Sequence, residues 1–170
     1  MVDKVLIFEN SYNDYIESRQ PFINFLKKNK IIAYGFIPFS EKKEYLKTQI
    51  DRVFLYKKKN LFYGFFNQIY LLRNICLSNK IKCIHSFRFF PNIINVTSNF
   101  FNDNKLICHI TGLGIAFSNN SFFYRIIKIV SLFFYQIILY RSNLIITQND
   151  DDFKRIDIFN LFEKKKQNNL

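Results

Sequence analysis

Two histidines and a closely spaced pair of glycines are the residues best suited to chemistry in this 170-residue sequence. His109 stands between a mostly apolar run at residues 105–108, which predicts a buried strand, and the Thr-Gly-Leu-Gly motif of residues 111–114. An apolar run at residues 122–140 predicts a helix after the motif. Glycine lets a strand-to-helix turn bend sharply and approach a ligand closely. The chain has four glycines in all, so we interpret two in one turn as a site, with an ordinary turn as the alternative.

Further polar side chains could join this site. His85 and His109 can each act as an acid or a base near neutral pH, although a lone histidine at a strand end is more often a hydrogen-bonded structural residue. Gln148 and Asn149 offer paired donors and acceptors that suit sugar hydroxyls. The alternative for this second pair is structural, since Asn149 or Asp150 could cap the helix that follows.

Several common kinds of site are excluded by the spacing of residues. The first predicted strand continues into residues 9–12, Glu-Asn-Ser-Tyr, which lack the glycines of a dinucleotide-binding loop. Ser86 has no flanking glycine, so it does not form a nucleophile elbow. No group of His, Cys, Asp and Glu has the spacing of metal ligands, and we predict no metal site.

The elements that must position these residues follow from the apolar pattern. Strands are predicted at residues 5–8, 31–37, 53–55, 82–85, 106–110 and 144–147. Helices are predicted at residues 15–28, 40–44, 64–79, 92–101 and 122–140, and from residue 150 onward. This alternation predicts an α/β fold with a Rossmann-like, doubly wound, mostly parallel sheet. Ligands bind beyond the carboxyl ends of such strands, where residues 10–14, 85–92, 111–114 and 148–152 would converge.

The composition is strongly basic and excludes disorder. The net charge is +12 and 49% of the residues are hydrophobic. Such a charge suits an anionic partner, either nucleic acid or an anionic membrane, although the codon bias of an AT-rich genome is an alternative source. The basic residues form no recognisable nucleic-acid motif, so we expect no nucleic-acid partner. Cys76, Cys83 and Cys108 lie apart in apolar runs and predict reduced core residues of a cytosolic protein, and the first residues do not resemble a signal peptide.

Three motifs occur in a characteristic order: His-Ser-Phe at residues 85–87 with Pro-Asn at residues 91–92, Thr-Gly-Leu-Gly followed by Phe at residues 111–117, and Gln-Asn-Asp-Asp-Asp at residues 148–152. This series resembles the N-terminal domain of bacterial family 4 retaining glycosyltransferases, which build capsule, O-antigen and lipid-linked oligosaccharides. The resemblance covers essentially the whole chain and is strongest over residues 84–153.

The resemblance implies a two-Rossmann (GT-B) enzyme in which residues 1–162 form the acceptor-binding domain and residues 163–170 begin the interdomain linker. The donor domain would be missing or separately encoded. This chain would bind no cofactor, and a nucleotide-sugar donor is expected in the full enzyme. The implied reaction transfers a sugar, with retained configuration, to a lipid-linked saccharide acceptor. We expect no turnover by this chain alone. The alternative is a non-catalytic α/β binding module that pairs with a separate donor-binding domain.

The resemblance also implies roles for individual residues. Those expected beneath the reacting sugar are His109, Thr111 and Gly112, although His109 could instead point into the sheet. The residues expected on the acceptor side are Asn10, Tyr12, His85, Arg88, Asn92, Leu113, Gly114, Gln148 and Asn149. Two departures from the family pattern affect these contacts. Phe90 replaces the basic residue that often precedes the Pro-Asn pair, with Arg88 two residues earlier, and the loop after the first strand lacks a glycine.

Residues 122–141 mix aromatic, aliphatic and basic side chains in one helical segment. Basic residues near an anionic leaflet contribute about 1 kcal/mol each, and aromatic rings favour the interface. We therefore expect a protein that is cytoplasmic and peripheral on the inner face of the cytoplasmic membrane. Packing of these rings in the core is the alternative. The apolar run at residues 126–140 contains Lys128 and Gln136 and is too short to predict a membrane span.

Overall fold

A six-stranded sheet forms the centre of the molecule in this computed structural model, which describes residues 3–42, 44–48, 50–57, 60–119 and 121–160. The strands are β1 (Lys4–Phe8), β2 (Ile32–Pro38), β3 (Arg52–Tyr56), β4 (Cys83–Phe87), β5 (Lys105–Ile110) and β6 (Leu144–Thr147). The helices are α1 (Tyr12–Ser18), α2 (Gln20–Lys28), α3 (Leu61–Asn79), α4 (Phe89–Ser98), α5 (Ile115–Ser118), α6 (Phe122–Arg141) and α7 (Asp150–Ile156), with a 3-10 helix at Glu44–Lys47.

The strand order is β3-β2-β1-β4-β5-β6, and every neighbouring pair is parallel. All carboxyl ends of the strands therefore lie along one edge of the sheet. The chain winds outward from β1 in one direction through β3 and from β4 in the other through β6, so the switch point lies between β1 and β4. The predicted doubly wound α/β fold is confirmed.

Alternating side chains of the strands fill two cores, one on each face of the sheet. Leu6 and Phe8 of β1 pack with α3, α4, α6 and α7. Val5 and Ile7 point to the other face and pack with α1 and α2. This period of two is the reason that Glu9 and Asn10, which continue β1, extend toward opposite faces at the carboxyl edge.

The helix predicted over residues 15–28 is two helices that meet at Arg19. The Ser11 hydroxyl accepts a hydrogen bond from the Asp14 backbone N–H at 3.3 Å, so α1 begins inside a segment predicted to be a loop. Pro21 stands in the first turn of α2, where a missing backbone N–H costs little.

Other boundaries differ from the predictions by a few residues. β4 extends to Phe87, and α4 begins at Phe89 rather than at residue 92. β2 extends one residue beyond the predicted strand and ends at Pro38, opposite Tyr56 of β3. The predicted helix near residue 40 is the 3-10 helix, and α5 was not predicted. The predicted tail at residues 163–170 lies outside the described residues.

α6 is 20 residues long with a mean hydropathy of 1.7, so by length and composition it could cross a membrane. The helix was predicted at residues 122–140, but only its apolar run at residues 126–140 was considered as a membrane span, and that run was judged too short. Tyr135, Ile138 and Leu139 are buried against the sheet, whereas most of the amino-terminal half of α6 is exposed. The three cysteines are buried and unpaired, as predicted, and burial raises the pKa of each thiol.

Candidate functional site

The candidate site lies at the carboxyl edge of three neighbouring strands, β1, β4 and β5. Glu9 follows β1, His85 lies in β4 and His109 lies in β5. The register pairs Phe87 of β4 with His109 of β5. These side chains share the face of the sheet that α1 and α2 cover, so the topology alone brings residues 9, 85 and 109 together.

The two histidines contact each other directly. His85 Nδ1 and His109 Nε2 are 3.0 Å apart, so one ring nitrogen donates a hydrogen bond and the other accepts it. Burial lowers the pKa of His85 to about 4. Burial, together with the neighbouring His85 and Arg19, lowers the pKa of His109 to about 3. Both imidazoles are therefore neutral at pH 7, when they can donate and accept hydrogen bonds but carry no charge.

Aromatic rings and a guanidinium fix the orientation of this histidine pair. The His109 ring stacks on Phe87 with centroids 4.0 Å apart. Phe22 of α2 packs against His85 at 4.7 Å. The Arg19 guanidinium lies 3.9 Å from the centre of the Phe87 ring, in cation–π geometry. These contacts hold the imidazoles in place without a charged partner for either ring.

A buried ion pair anchors the same cluster. The Glu9 side chain is 0% exposed, and its Oε2 accepts hydrogen bonds from Arg19 Nε at 3.1 Å and Nη2 at 2.8 Å. Burial raises the pKa of this carboxyl, and the Arg19 charge opposes that rise. Arg19 thus bridges Glu9 and Phe87, which ties α2 to the ends of β1 and β4.

Arg88 carries the strained backbone of the site. Its φ of 76° and ψ of 171° fall in a region that is occupied almost exclusively by glycine. Its N–H donates to the His109 carbonyl at 3.0 Å, and its guanidinium forms an ion pair with Asp14 and lies 3.9 Å from Glu9 Oε1. Because the Arg88 side chain is 45% exposed, the edge of its guanidinium is accessible to a ligand.

Asn92 lies behind the histidine pair, and its side chain is completely buried. Its Oδ1 accepts from the Ser86 hydroxyl at 2.7 Å, and its Nδ2 donates to the His109 carbonyl at 3.0 Å. Asn95 also donates to Ser86, at 2.9 Å. These hydrogen bonds position the ends of β4 and β5, and the acceptor contact of Asn92 stays a prediction.

Tyr12 is also buried, and its hydroxyl accepts a hydrogen bond from the Tyr45 N–H at 3.1 Å. This contact supports the connection between β2 and β3, and the acceptor contact of Tyr12 stays a prediction. Asn10 is half-buried at the switch point, and its Oδ1 is buried without a hydrogen-bond partner among the described residues. Asn10 is therefore the residue of this loop that has capacity for a ligand.

The glycine turn lies at the carboxyl end of β5. Gly112 and Gly114 have φ values of 102° and 75°, which favour glycine. A Cβ at either position would meet open space, so backbone conformation rather than a close approach of protein atoms explains these glycines. Thr111 is half-buried and Leu113 packs against the core. The turn thus presents exposed backbone beside the histidine pair.

Gln148 and Asn149, the predicted acceptor contacts that follow β6, have different environments in the structure. Asn149 Oδ1 accepts from the Asp152 N–H at 2.7 Å and caps α7, which was the structural alternative. Gln148 is exposed at the same carboxyl edge, but on the outermost strand of the sheet. Its use as an acceptor contact stays a prediction.

No site role was predicted from the sequence for three members of the cluster: Glu9, Arg19 and Phe87. Arg19 was placed inside the helix predicted at residues 15–28, in which Pro21 could mark either a kink or the true first turn, so the position of the junction was left open. Glu9 directly follows a fully apolar strand, and that position is a signal that could have identified it. Among the described residues, no group of three or more His, Cys, Asp and Glu could hold a metal ion.

Solved structures of UDP-N-acetylglucosamine 2-epimerases share this fold. The enzyme from Rickettsia bellii has a TM-score of 0.68 and 12% identity over 96% of this chain and 43% of its own. The enzyme from Methanocaldococcus jannaschii has a TM-score of 0.63 and 11% identity, over 95% and 42% respectively. The Neisseria meningitidis enzyme, bound to UDP-GlcNAc, has a TM-score of 0.55 and 15% identity, over 96% and 53% respectively.

The chain spans about half or less of the length of these epimerases. No protein-family model matches it, and no curated protein matches it by sequence. At such low identity the likeness concerns the fold alone, and membership of glycosyltransferase family 4 stays a prediction. The chain has a Rossmann-like α/β fold, similar to that of about half of each of these UDP-N-acetylglucosamine 2-epimerases.

Proposed function

We propose that this chain is the acceptor-binding domain of a GT-B glycosyltransferase, which transfers a sugar from a nucleotide-sugar to a lipid-linked saccharide. The observation that supports this most is the neutral, hydrogen-bonded pair of His85 in β4 and His109 in β5, next to the switch point of the sheet. Neutral imidazoles beside exposed glycine backbone suit sugar hydroxyls, which need both donors and acceptors. The nucleotide-sugar would be bound by a second Rossmann-like unit.

The charged groups of the cluster suit the phosphate of such an acceptor. Arg88 is accessible and precedes the first turn of α4, whose N–H groups favour an anion. Asp14 and Glu9 hold the Arg88 guanidinium in place, and an acceptor phosphate would compete with Asp14 for it. In this proposal His109, Thr111 and Gly112 lie under the reacting sugar, while Asn10, His85, Arg88, Leu113 and Gly114 contact the acceptor.

Membrane association follows from the same proposal, because a lipid-linked acceptor lies in the bilayer. α6 exposes Phe122, Phe123, Ile129 and Phe133, each by more than half. Such rings partition into the interface, and the basic residues of α6 favour anionic lipid. We propose peripheral binding to the inner face of the cytoplasmic membrane through this surface.

A second candidate is a nucleotide-sugar 2-epimerase, which the structural neighbours favour. Inversion at carbon 2 of a sugar requires a group that removes a proton and a group that returns one. The neutral His85 and His109 could accept a proton, but a pKa of about 3 to 4 makes them weak bases at pH 7. This candidate therefore stands second.

Calorimetric titration distinguishes the two candidates. An acceptor domain should bind a glycosyl phosphate, such as N-acetylglucosamine 1-phosphate, without binding UDP. We expect Arg88→Gln to weaken glycosyl phosphate binding about tenfold, which corresponds to the loss of one charge-assisted hydrogen bond. Arg155→Gln, an exposed position in the last turn of α7, is the matched control and should bind normally. Binding of UDP but not of glycosyl phosphate would reject the acceptor role.

A further inference from the structure

An apolar groove adjoins the candidate site on the opposite face of the sheet. It lies between α3, α4 and α6 and has a volume of about 720 Å³, within the usual range for small-molecule sites. Phe65, Ile94 and Phe134 contribute to its walls. Phe66, Phe90 and Val130 also line it and are each 45% exposed or more, so the groove is open to the surrounding medium along its outer side.

One end of the groove is polar and belongs to the carboxyl edge of the sheet. Asn10 lines this end and directly follows Glu9 of the ion-pair cluster. Tyr56 lines the same end, and its hydroxyl donates to the Glu9 carbonyl at 3.1 Å. Phe89, which follows Arg88, is a third lining residue. A ligand that occupies the groove and leaves at this end therefore enters the candidate site.

The described residues that line the groove are uncharged, and the charged residues of the three surrounding helices favour an anionic occupant over a cationic one. The sequences of α3, α4 and α6 contain no Asp or Glu, and their charged residues are all basic: Arg73, Arg125, Lys128 and Arg141. A second copy of this chain would bring two such basic surfaces together and would be repelled. An amphiphile with a phosphate head and a hydrocarbon chain satisfies both the apolar walls and the basic surroundings.

We propose that this groove binds the hydrocarbon chain of the lipid-linked acceptor, with the chain entering from the membrane side and the phosphate leaving beside Asn10. The inference rests on the proposed function and specifies how its acceptor is held. The exposed aromatic surface of α6 then has a second role, because it places the open side of the groove against the bilayer. The lipid need not leave an apolar environment while its head group reaches the strand ends.

The length of the hydrocarbon chain is the direct test, because each methylene group that is buried increases the affinity about fourfold. Geranyl and farnesyl diphosphate, titrated below their micelle concentrations, serve as probes, with inorganic diphosphate as the chain-free control. We expect farnesyl diphosphate to bind at least about tenfold more tightly than geranyl diphosphate, with a negative heat-capacity change that marks apolar burial. Equal affinity for farnesyl and inorganic diphosphate would overturn the proposal.

A pair of serine variants tests whether the hydrocarbon chain of the lipid lies in the groove. Ser131 lines the groove and Ser78 is exposed on α3, outside the groove. Ser131→Phe should fill the groove and remove the chain-length dependence, whereas Ser78→Phe should keep it, with thermal unfolding checked for both. Unchanged dependence in folded Ser131→Phe would overturn the proposal, and if that variant does not fold, the wild-type chain-length series decides. A glycosyl phosphate has no hydrocarbon chain and does not need the apolar walls of the groove, so the proposed function can survive failure of this test.

Discussion

At the scale of single residues, the site depends on imidazoles that are kept neutral. His85 and His109 share one hydrogen bond, and each is packed against a phenylalanine ring. Protonation of both rings would place two like charges 3.0 Å apart in a partly buried position. The Arg19 charge adds to this penalty for His109. The fold therefore holds the pair as uncharged hydrogen-bonding groups across the physiological range of pH.

This arrangement predicts that stability falls on acidification. Unfolded histidine binds a proton below about pH 6.5, whereas the folded pKa values are about 4 and 3. Between these limits the unfolded state binds more protons, so the free energy of unfolding rises with pH. We expect a loss of at least about 1.4 kcal/mol from pH 7 to pH 5, which is the equivalent of one pKa unit. Urea denaturation at both pH values measures it.

The control for this prediction is direct, because the chain has two histidines. The double variant His85→Gln, His109→Gln contains none. Glu9 has a raised pKa that acts in the opposite direction, but it is present in both proteins and cancels in the difference. An equally steep loss of stability in the double variant would show that the histidines do not cause it.

At the scale of secondary-structure elements, the turn after β5 requires glycine because of its backbone conformation. Gly112 has a φ of 102°, and a methyl group added there would meet open space, so Gly112→Ala should be strained only through its backbone. We expect a loss of about 1–3 kcal/mol in the free energy of unfolding. Chemical denaturation measures it, and Ser118→Ala in the neighbouring α5 should change stability by less than about 0.5 kcal/mol. An unchanged midpoint for Gly112→Ala would mean that the turn adopts another conformation.

The secondary-structure elements were predictable where they depend on the local pattern of apolar residues. Apolar runs such as residues 5–8 identify buried strands, and the alternation of strands with helices determined the parallel topology. The junction at Arg19 was not predictable in this way. It depends on the ion pair with Glu9 and the contact with Phe87, and both are tertiary interactions. The environment of Asn92 was not predictable for the same reason. Asparagine suits a binding site, but the hydrogen bonds of Asn92 are made inside the fold.

At the scale of the whole molecule, the sequence has a net charge of +12, and α6 combines exposed aromatic rings with three basic residues. We expect sedimentation with liposomes that contain anionic lipid, and weaker sedimentation with neutral liposomes or high salt. The double variant Phe122→Ser, Phe133→Ser should reduce the partition coefficient about tenfold per ring or more, because burial of one ring contributes at least about 1.5 kcal/mol.

The matched control for membrane binding removes two exposed rings elsewhere. Phe25 lies on α2 and Phe39 follows β2, with exposed fractions of 58% and 49%. Phe25→Ser, Phe39→Ser should therefore pellet like the wild type. If the two double variants lose binding equally, attachment is through general hydrophobicity rather than through α6.

The central claim is that the strand ends of β1, β4 and β5 form a binding site for a phosphorylated saccharide. Nitrogen NMR of the imidazole rings reports on it directly, because His85 and His109 are the only histidines in the sequence. Titration with N-acetylglucosamine 1-phosphate should shift the ring signals of both residues in a saturable manner, while UDP should leave them unchanged. Ring signals that respond to UDP alone, or to neither compound at saturating concentration, would contradict the assignment of this site.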